Sequence, residues 1–171
     1  EAVPRALSAV ALDPAARSLF DYSGTLGLPE HRETGAAWLA QSGLAVTAAE
    51  VLPTLGAQHA MFLACAALTE PGDALLVEEA TFYGIKAVAK TLGLRLVGVA
   101  TDAQGLEPAA LDAAVRASGA RVLYTVPTFQ NPTSSVMPEE RRDEVAEICR
   151  RHGVMVIEDD IYSFLLEPPP R

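Results

Sequence analysis

Residues 74–99 read ALLVEEATFYGIKAVAKTLGLRLVGV and predict a strand, a helix and a second strand in direct succession. The runs at residues 74–78 and 95–99 are short and rich in leucine and valine, as buried strands are. Residues 83–92 between them place apolar side chains at helical spacing. This order is typical of a βαβ unit, whose two strands lie parallel in one sheet.

The same alternation extends along the chain on both sides of this unit. Further strands are predicted at residues 50–55, 121–126 and 154–158. Further helices are predicted at residues 58–68, 108–118 and 138–152, with a turn at residues 101–105. The sequence therefore predicts an α/β fold, a three-layer sandwich around a mostly parallel sheet.

The first part of the chain is less regular. Helices are predicted around residues 4–20 and 30–42, on either side of a turn-rich stretch. We therefore divide the chain into an N-terminal helical segment, residues 1–48, and the first part of an α/β domain, residues 49–171.

Composition excludes several classes of function. Half of the 171 residues are hydrophobic, which is enough for a core, and the net charge of −9 argues against direct contact with nucleic acid. No apolar run approaches the roughly 20 residues that span a bilayer, so we expect a protein without membrane contact. We also expect no secretory signal and a cytoplasmic location. Cys65 and Cys149 have no ligand partner at metal spacing and are predicted to be core thiols.

A small-residue turn follows the predicted strand at residues 50–55. Ligands of open α/β sheets bind beyond the carboxyl ends of the strands. Gly56, Ala57 and Gln58 open a helix there, and the free backbone amides of its first turn suit an anion such as a phosphate. A tight strand-to-helix connection without a ligand is the simpler interpretation of this turn.

Two more strand ends carry polar side chains. Asn131 lies in the loop TFQNPT, residues 128–133, where its amide suits a phenolate or carboxylate, although an Asn-Pro turn is also a common plain turn. Glu158, Asp159 and Asp160 end another strand, so a positive partner is expected beside them. That partner is either a metal, for which His and Cys ligands are missing, or the protonated ring nitrogen of a cofactor.

Taken in order, these segments resemble the class I and II aminotransferases, which are pyridoxal-phosphate (PLP) proteins of fold type I. The resemblance lies in Gly56-Ala57-Gln58, in PGD at residues 71–73 with EEATFYG at 78–84, in QNPT at 130–133, and in Asp159-x-x-Tyr162. It covers the chain from about Tyr22 onward. The resemblance implies the large domain of such a protein, with PLP as cofactor.

The resemblance also implies which residues would contact the phosphate of the cofactor and the face of its ring. Ala57 and Gln58 would present the helix N-terminus to the phosphate. Phe82 would stack on the pyridine ring, with Tyr83 as the alternative stacker. Ala80 stands where the family has proline, so a looser turn is expected.

Other roles concern the polar edge of the ring and the substrate. Asn131 and Tyr162 would bind the phenolic oxygen, and Asp159 would pair with the pyridine nitrogen. Gly27 falls where the family has a glycine near the substrate carboxylate. Ser134 replaces the family's usual glycine after Asn-Pro-Thr.

The lysine that holds the cofactor in this family has no counterpart among these residues. It is expected some thirty residues after Asp-x-x-Tyr, and the only two lysines, Lys86 and Lys90, are predicted to lie on a helix surface. No catalytic residue of the covalent chemistry is therefore assigned here. We expect these residues alone to be inactive and the parent protein to continue past Arg171.

Two functions remain open. The first is the effector-binding domain of a GntR-type transcriptional regulator of the MocR subgroup, in which only an upstream module contacts DNA. The second is part of a free-standing aminotransferase that acts on an amino acid and a 2-oxo acid. The resemblance implies a homodimer in both cases. A nucleotide-binding α/β domain is less favoured because a glycine-rich phosphate fingerprint is missing.

Overall fold

The computed structural model describes residues 2–22 and 24–166, so predictions that fall on residues 1, 23 and 167–171 lie outside the described part. The chain divides into two compact units, of which one ends at Pro53 and the other begins at Thr54.

The first unit is helical. It contains α1 (Ala2–Leu12), a 3-10 helix (Pro14–Phe20), α2 (Pro29–Gln41) and a second 3-10 helix (Ala48–Glu50). The predicted helices around residues 4–20 and 30–42 are thus confirmed. Proline at the first position of α2 suits a helix start, because the amide hydrogen that it lacks has no partner there.

The strand predicted at residues 50–55 is wrong. The backbone forms a short 3-10 helix up to Glu50, whose Oε2 accepts hydrogen bonds from the Thr47 backbone N at 2.9 Å and from Thr47 Oγ1 at 2.8 Å. Pro53 then removes one amide that a strand ladder needs. Leu55 is exposed, so this apolar run lacks the burial on which the prediction rested.

The second unit contains the alternating helices and strands. In chain order they are α3 (Ala57–Leu68), β1 (Ala74–Glu78), α4 (Gly84–Leu92), β2 (Arg95–Val99), β3 (Thr101–Asp102), β4 (Gly105–Leu106), α5 (Pro108–Ser118), β5 (Val122–Thr125), α6 (Glu139–His152) and β6 (Met155–Glu158), followed by a 3-10 helix (Ser163–Leu165). These elements confirm the predicted ones to within one or two residues. The turn at residues 101–105 is the antiparallel β3–β4 hairpin.

The main sheet has the order β2-β1-β5-β6, and all of its neighbouring strands are parallel. Val77 lies opposite Tyr124 in the β1–β5 pair, and Thr125 lies opposite Glu158 in the β5–β6 pair. The carboxyl ends of β1, β5 and β6 therefore lie at the same edge of the sheet.

Helices cover both faces of this sheet, as the predicted three-layer sandwich requires. Leu75 and Val77 point to the face that packs with buried side chains of α3 and α4, whereas Leu76 and Leu123 point to the face covered by α5 and α6. This alternation follows from the two-residue period of a strand. The burial of β1 and β5 on both faces explains their continuous apolar sequences.

The thiols of Cys65 and Cys149 are free and buried, one in each of these two layers of the core. Their predicted role as core residues is confirmed. No helix in the described part of the chain combines the length and apolar character needed to cross a bilayer.

Candidate functional site

The loops at the carboxyl edge of the sheet are tied to one another by side-chain hydrogen bonds. Gln58 Nε2 at the start of α3 donates to the Gly84 carbonyl at 3.2 Å, and Gln130 Nε2 after β5 donates to the Ala80 carbonyl at 2.6 Å. The loop between β1 and α4 is thereby joined to its neighbours on two sides. The structure thus brings the start of α3, the loop before α4 and the loop after β5 together in the second unit.

The helix α3 begins with an uncapped N-terminus. Gly56 precedes it with a φ of +89° and offers no side chain to cap the helix. Ala57 and Gln58 are exposed, and their backbone N–H groups make no hydrogen bond to the described residues, as is usual at the start of a helix. This end of the helix can receive an anion.

The loop after β1 presents two aromatic rings, of which Phe82 is the inner one. Phe82 packs against the α3 and α4 side of the core, whereas Tyr83 is 77% exposed, and the two ring centroids lie 4.9 Å apart. Gly84 makes this packing possible, because a Cβ at residue 84 would overlap both the Phe82 ring and Gln58 Oε1.

The loop after β5 is shaped around the Gln130 side chain. Its Oε1 accepts hydrogen bonds from the Thr133 backbone N at 2.9 Å and from Thr133 Oγ1 at 2.8 Å, so that it spans Asn131 and Pro132. The Asn131–Pro132 peptide bond is cis. The half-buried Asn131 amide makes no hydrogen bond to any residue that the structure describes, which leaves it available to a ligand.

Asp159 follows β6 and holds an unpaired carboxylate oxygen. Its backbone N donates to the Thr125 carbonyl at 2.9 Å, and its Oδ2 accepts a hydrogen bond from Tyr124 Oη at 2.8 Å. Its Oδ1 is buried and has no hydrogen-bond partner within residues 2–22 and 24–166. Because an unsatisfied buried acceptor costs about 1–3 kcal/mol, this oxygen favours a ligand that brings a donor.

Tyr124 supports that arrangement from the core. It is fully buried, and burial together with the hydrogen bond to Asp159 raises the pKa of its phenol above the ordinary value. The phenol therefore stays protonated and remains a donor to Oδ2.

The three neighbouring acids do not converge on one point. Glu158 Oε1 lies 3.2 Å from Arg142 Nη1, whereas Asp159 turns to Tyr124 and Asp160 is exposed. Burial and the nearby Asp160 raise the pKa of Glu158, and Arg142 opposes them. In the part of the chain that the structure describes, no group of three His, Cys, Asp or Glu side chains is arranged to hold a metal.

Two further predicted residues take no part in these hydrogen bonds. Tyr162 is half-buried just before the last 3-10 helix, and its phenol has no hydrogen bond to the described residues. Gly27 belongs to the first unit, has a φ of +74° and lies beside Pro53, whose Cγ would be 3.5 Å from a Cβ at that position. Lys86 and Lys90 are exposed on α4, as predicted.

Sequence reasoning missed Glu78, Tyr124 and Arg142. Glu78 is the last residue of an apolar run, and Tyr124 lies within one. Because a polar group in a buried strand needs a hydrogen-bond partner, both positions could have been predicted to make such a bond. Arg142 lies among alternating acidic and basic residues of α6, a pattern that is usually solvent-exposed and gives no signal of burial. Its side chain is nevertheless only 15% exposed and also donates to Thr128 Oγ1 at 2.8 Å.

Comparison with known proteins identifies one family, and the similar proteins include both transcriptional regulators and aminotransferases. The family model described as aminotransferase class I and II matches residues 2–169. The HTH-type transcriptional regulator YjiR of Escherichia coli K12 is 32% identical over 141 residues, which cover 82% of this chain and 30% of that protein. The L-tyrosine:2-oxoglutarate aminotransferase atrD of Tapinella panuoides is 37% identical over 159 residues, which cover 87% of this chain and 30% of that protein.

A solved structure shares the fold. The α-aminoadipate aminotransferase LysN of Thermus thermophilus, complexed with N-(5'-phosphopyridoxyl)-L-leucine, superposes with a TM-score of 0.79 at 29% identity. The match covers 91% of this chain and 41% of LysN. The chain thus spans about a third of the length of the curated relatives that it matches.

Proposed function

Because this chain belongs to the class I and II aminotransferase family, we propose that it forms the first part of a pyridoxal-phosphate site. The family implies this cofactor, and the residues at the carboxyl edge of the sheet fit it. The observation that carries the proposal is the buried Oδ1 of Asp159, which has no hydrogen-bond partner among the described residues. A protonated pyridine nitrogen supplies the single N–H donor that this oxygen requires.

Asp159 is therefore the partner of the ring nitrogen, and Tyr124 holds it in place. A carboxylate that keeps this nitrogen protonated strengthens the ring as an acceptor of electrons. When bound, the cofactor supplies an electron sink for the carbanion that forms as an amino acid loses a proton or its carboxylate.

The remaining ring contacts are assigned to three side chains. Asn131 and Tyr162 donate to the phenolic oxygen, which is supported by their amide and phenol groups having no partner among the described residues. Phe82 stacks on the face of the ring. Its partial burial beside Gly84 supports this role over that of the exposed Tyr83.

The phosphate is assigned to the amides of Ala57 and Gln58 at the start of α3. The Gln58 side chain donates to the Gly84 carbonyl, so the backbone of this residue, rather than its amide group, is the part that binds the anion. Gly27 is assigned to the substrate side. The lysine that holds the cofactor is assigned to a part of the parent protein beyond residue 171.

The first candidate for the whole protein is a transcriptional regulator of the MocR type, whose aminotransferase-like domain binds an amino acid or 2-oxo acid as effector. This candidate is supported by YjiR and by YdeF of Bacillus subtilis, both HTH-type transcriptional regulators that are 32% identical to this chain. The parent is then a cytoplasmic homodimer that contacts DNA through an upstream module.

The second candidate is a free-standing aminotransferase that acts on an amino acid and a 2-oxo acid. It is supported by atrD, which is 37% identical and bears the name of such an enzyme. A winged helix-turn-helix segment upstream of Glu1 in the parent reading frame, with retarded migration of promoter DNA by the purified protein, favours the regulator. Amino-group transfer without DNA binding favours the enzyme.

The cofactor proposal is tested with the parent protein. After unbound PLP is removed, a visible absorbance band is expected to remain with the wild type and with Glu158→Ala, but not with Asp159→Ala. Glu158 is the matched control because it is the adjacent acid and pairs with Arg142 instead. A wild-type protein without the band contradicts the proposal, and equal losses in both variants would mean that Asp159 is not the partner of the ring.

A further inference from the structure

The carboxylate of Glu78, at the end of β1, is the most enclosed charged group described in this molecule. Its exposed fraction is 1%. No Lys, Arg or His side chain forms an ion pair with it within residues 2–22 and 24–166, so hydrogen bonds alone offset its loss of hydration. A buried carboxylate without an ion-pair partner depends on the neutral groups that surround it.

Four neutral donors surround this carboxylate, two at each oxygen. Oε1 accepts from Thr125 Oγ1 at 2.6 Å and from the Val126 backbone N at 3.0 Å. Oε2 accepts from Thr81 Oγ1 at 3.1 Å and from Gln130 Nε2 at 3.0 Å. These bonds use the acceptor capacity of an ionised carboxylate, which is about four sites.

The donors at Oε2 come from the two loops that carry the assigned ring contacts. Thr81 directly precedes Phe82, and Gln130 directly precedes Asn131. Gln130 also accepts both hydrogen bonds from Thr133, so the position of its side chain determines the shape of the loop around Asn131. The donors at Oε1 anchor the same carboxylate to the end of β5.

We infer that Glu78 is a positioning residue, which sets the separation between the Phe82 ring and the Asn131 amide. Phe82 is assigned to the face of the cofactor ring and Asn131 to its phenolic edge, so this separation determines how well the cofactor fits against both. This inference rests on the proposed function. Glu78 is not assigned a contact with the cofactor or the substrate, because protein donors occupy both of its carboxylate oxygens.

The chemistry of the site requires a carboxylate. Glutamine at residue 78 would turn its NH₂ group toward either the Val126 backbone N–H or the Gln130 NH₂ group, and neither of these can accept a hydrogen bond. Aspartate is one methylene shorter and would not reach both loops. An exchange of the two groups, with glutamine at 78 and glutamate at 130, restores a donor and acceptor pair between β1 and the Asn131 loop, but it removes the hydrogen bond from residue 130 to the Ala80 carbonyl.

The test is a double-mutant cycle in the parent protein, with the dissociation constant of PLP measured by absorbance titration. Glu78→Gln is expected to raise this constant about tenfold, as the loss of a hydrogen bond to a charged group does. Asn131→Ala is expected to raise it by a similar factor. If Glu78 acts through Asn131, the double variant binds no more weakly than either single variant.

Two further variants separate positioning from general destabilisation. Glu79→Gln changes the adjacent, exposed glutamate and is expected to leave the dissociation constant unchanged. The exchange variant Glu78→Gln with Gln130→Glu is expected to recover part of the affinity. Should Glu78→Gln fail to fold, Thr81→Val removes a single hydrogen bond to the carboxylate and is expected to raise the constant severalfold.

The outcomes distinguish the two proposals. A wild-type protein that binds no PLP overturns the proposed function together with this inference. Wild-type binding with an unchanged constant in Glu78→Gln, or with independent, multiplying effects of Glu78→Gln and Asn131→Ala, overturns the inference alone.

Discussion

The hydroxyl of Tyr124 donates to Oδ2 of Asp159 across 2.8 Å, and it thereby joins the interior of β5 to the residue that follows β6. The bond fixes one oxygen of the carboxylate and leaves the other, Oδ1, for a ligand. A fully buried phenol whose raised pKa keeps it protonated is suited to this task.

Replacing Tyr124 with phenylalanine removes this donor without changing the packing of the ring. We expect the free energy of unfolding to fall by about 1–3 kcal/mol, because both carboxylate oxygens are then unpaired. Chemical denaturation measures this change, and titration with PLP is expected to show weaker binding. Tyr83→Phe is the control, since Tyr83 is exposed and its hydroxyl should contribute little. Equal stability of wild type and Tyr124→Phe would contradict the importance of the bond.

Ser134 has a φ of +60°, which is unfavourable for a residue with a side chain. The left-handed conformation costs such a residue about 1–2 kcal/mol, a cost that glycine does not have. The greater conformational freedom of glycine in the unfolded chain offsets about 0.5–1 kcal/mol of this gain. Ser134→Gly is therefore expected to stabilise the protein by up to about 1 kcal/mol, measured by thermal or urea unfolding. Ser135→Gly, at a neighbouring residue outside the left-handed region, should destabilise it instead, and a stabilising effect of both changes would refute the conformational argument.

Gly84 lies where the Gln58 amide and the Phe82 ring approach the start of α4. The Cβ of Gly84→Ala would overlap both groups, so we expect a loss of about 1–3 kcal/mol in stability and weaker binding of PLP. Gly98→Ala is the matched control on β2, because its Cβ would lie 3.4 Å from the nearest atoms, Cα and Cβ of Glu79. Comparable melting temperatures for the two variants would argue against the close approach.

Asp102 anchors the β3–β4 hairpin to α6 through Arg141, at 3.1 Å. The hydrogen bonds from Arg141 and from the Gln104 backbone lower the pKa of this carboxyl below its ordinary value of 3.8. Because this pKa is lower in the folded than in the unfolded state, the ionised carboxylate of Asp102 stabilises the fold. Its contribution is complete when the pH is above the pKa in the unfolded state, and it is lost as the pH falls through the pKa in the folded state. Asp102→Asn should therefore lower the melting temperature near neutral pH, and the difference from wild type should shrink below about pH 3.8.

The control for this experiment is Asp143→Asn, an exposed acid on α6. A melting-temperature difference between Asp102→Asn and wild type that stays constant down to about pH 2, well below the ordinary carboxyl pKa, would show that the ion pair is not its source.

The order of elements and the loops that carry the candidate site follow from the sequence alone. Apolar runs of four to six residues, helical spacing between them, and proline or glycine at the boundaries are local signals that act over a few residues, and they predicted α3 to β6 closely. The strand expected at residues 50–55 failed because its apolar side chains are not buried in the sheet, a property that no local pattern contains.

Only the tertiary structure determined which side chains support the site. Glu78 and Gln130 are separated by 52 positions, and Tyr124 and Asp159 by 35. These pairs meet because β1, β5 and β6 align in a parallel register with their carboxyl ends at one edge. Register depends on the packing of whole strands and helices against one another, so a residue's partner across the sheet cannot be read from its own segment. The polar residues after each strand were evident from their sequence, whereas the buried carboxylate and phenol that hold them became evident only in the folded chain.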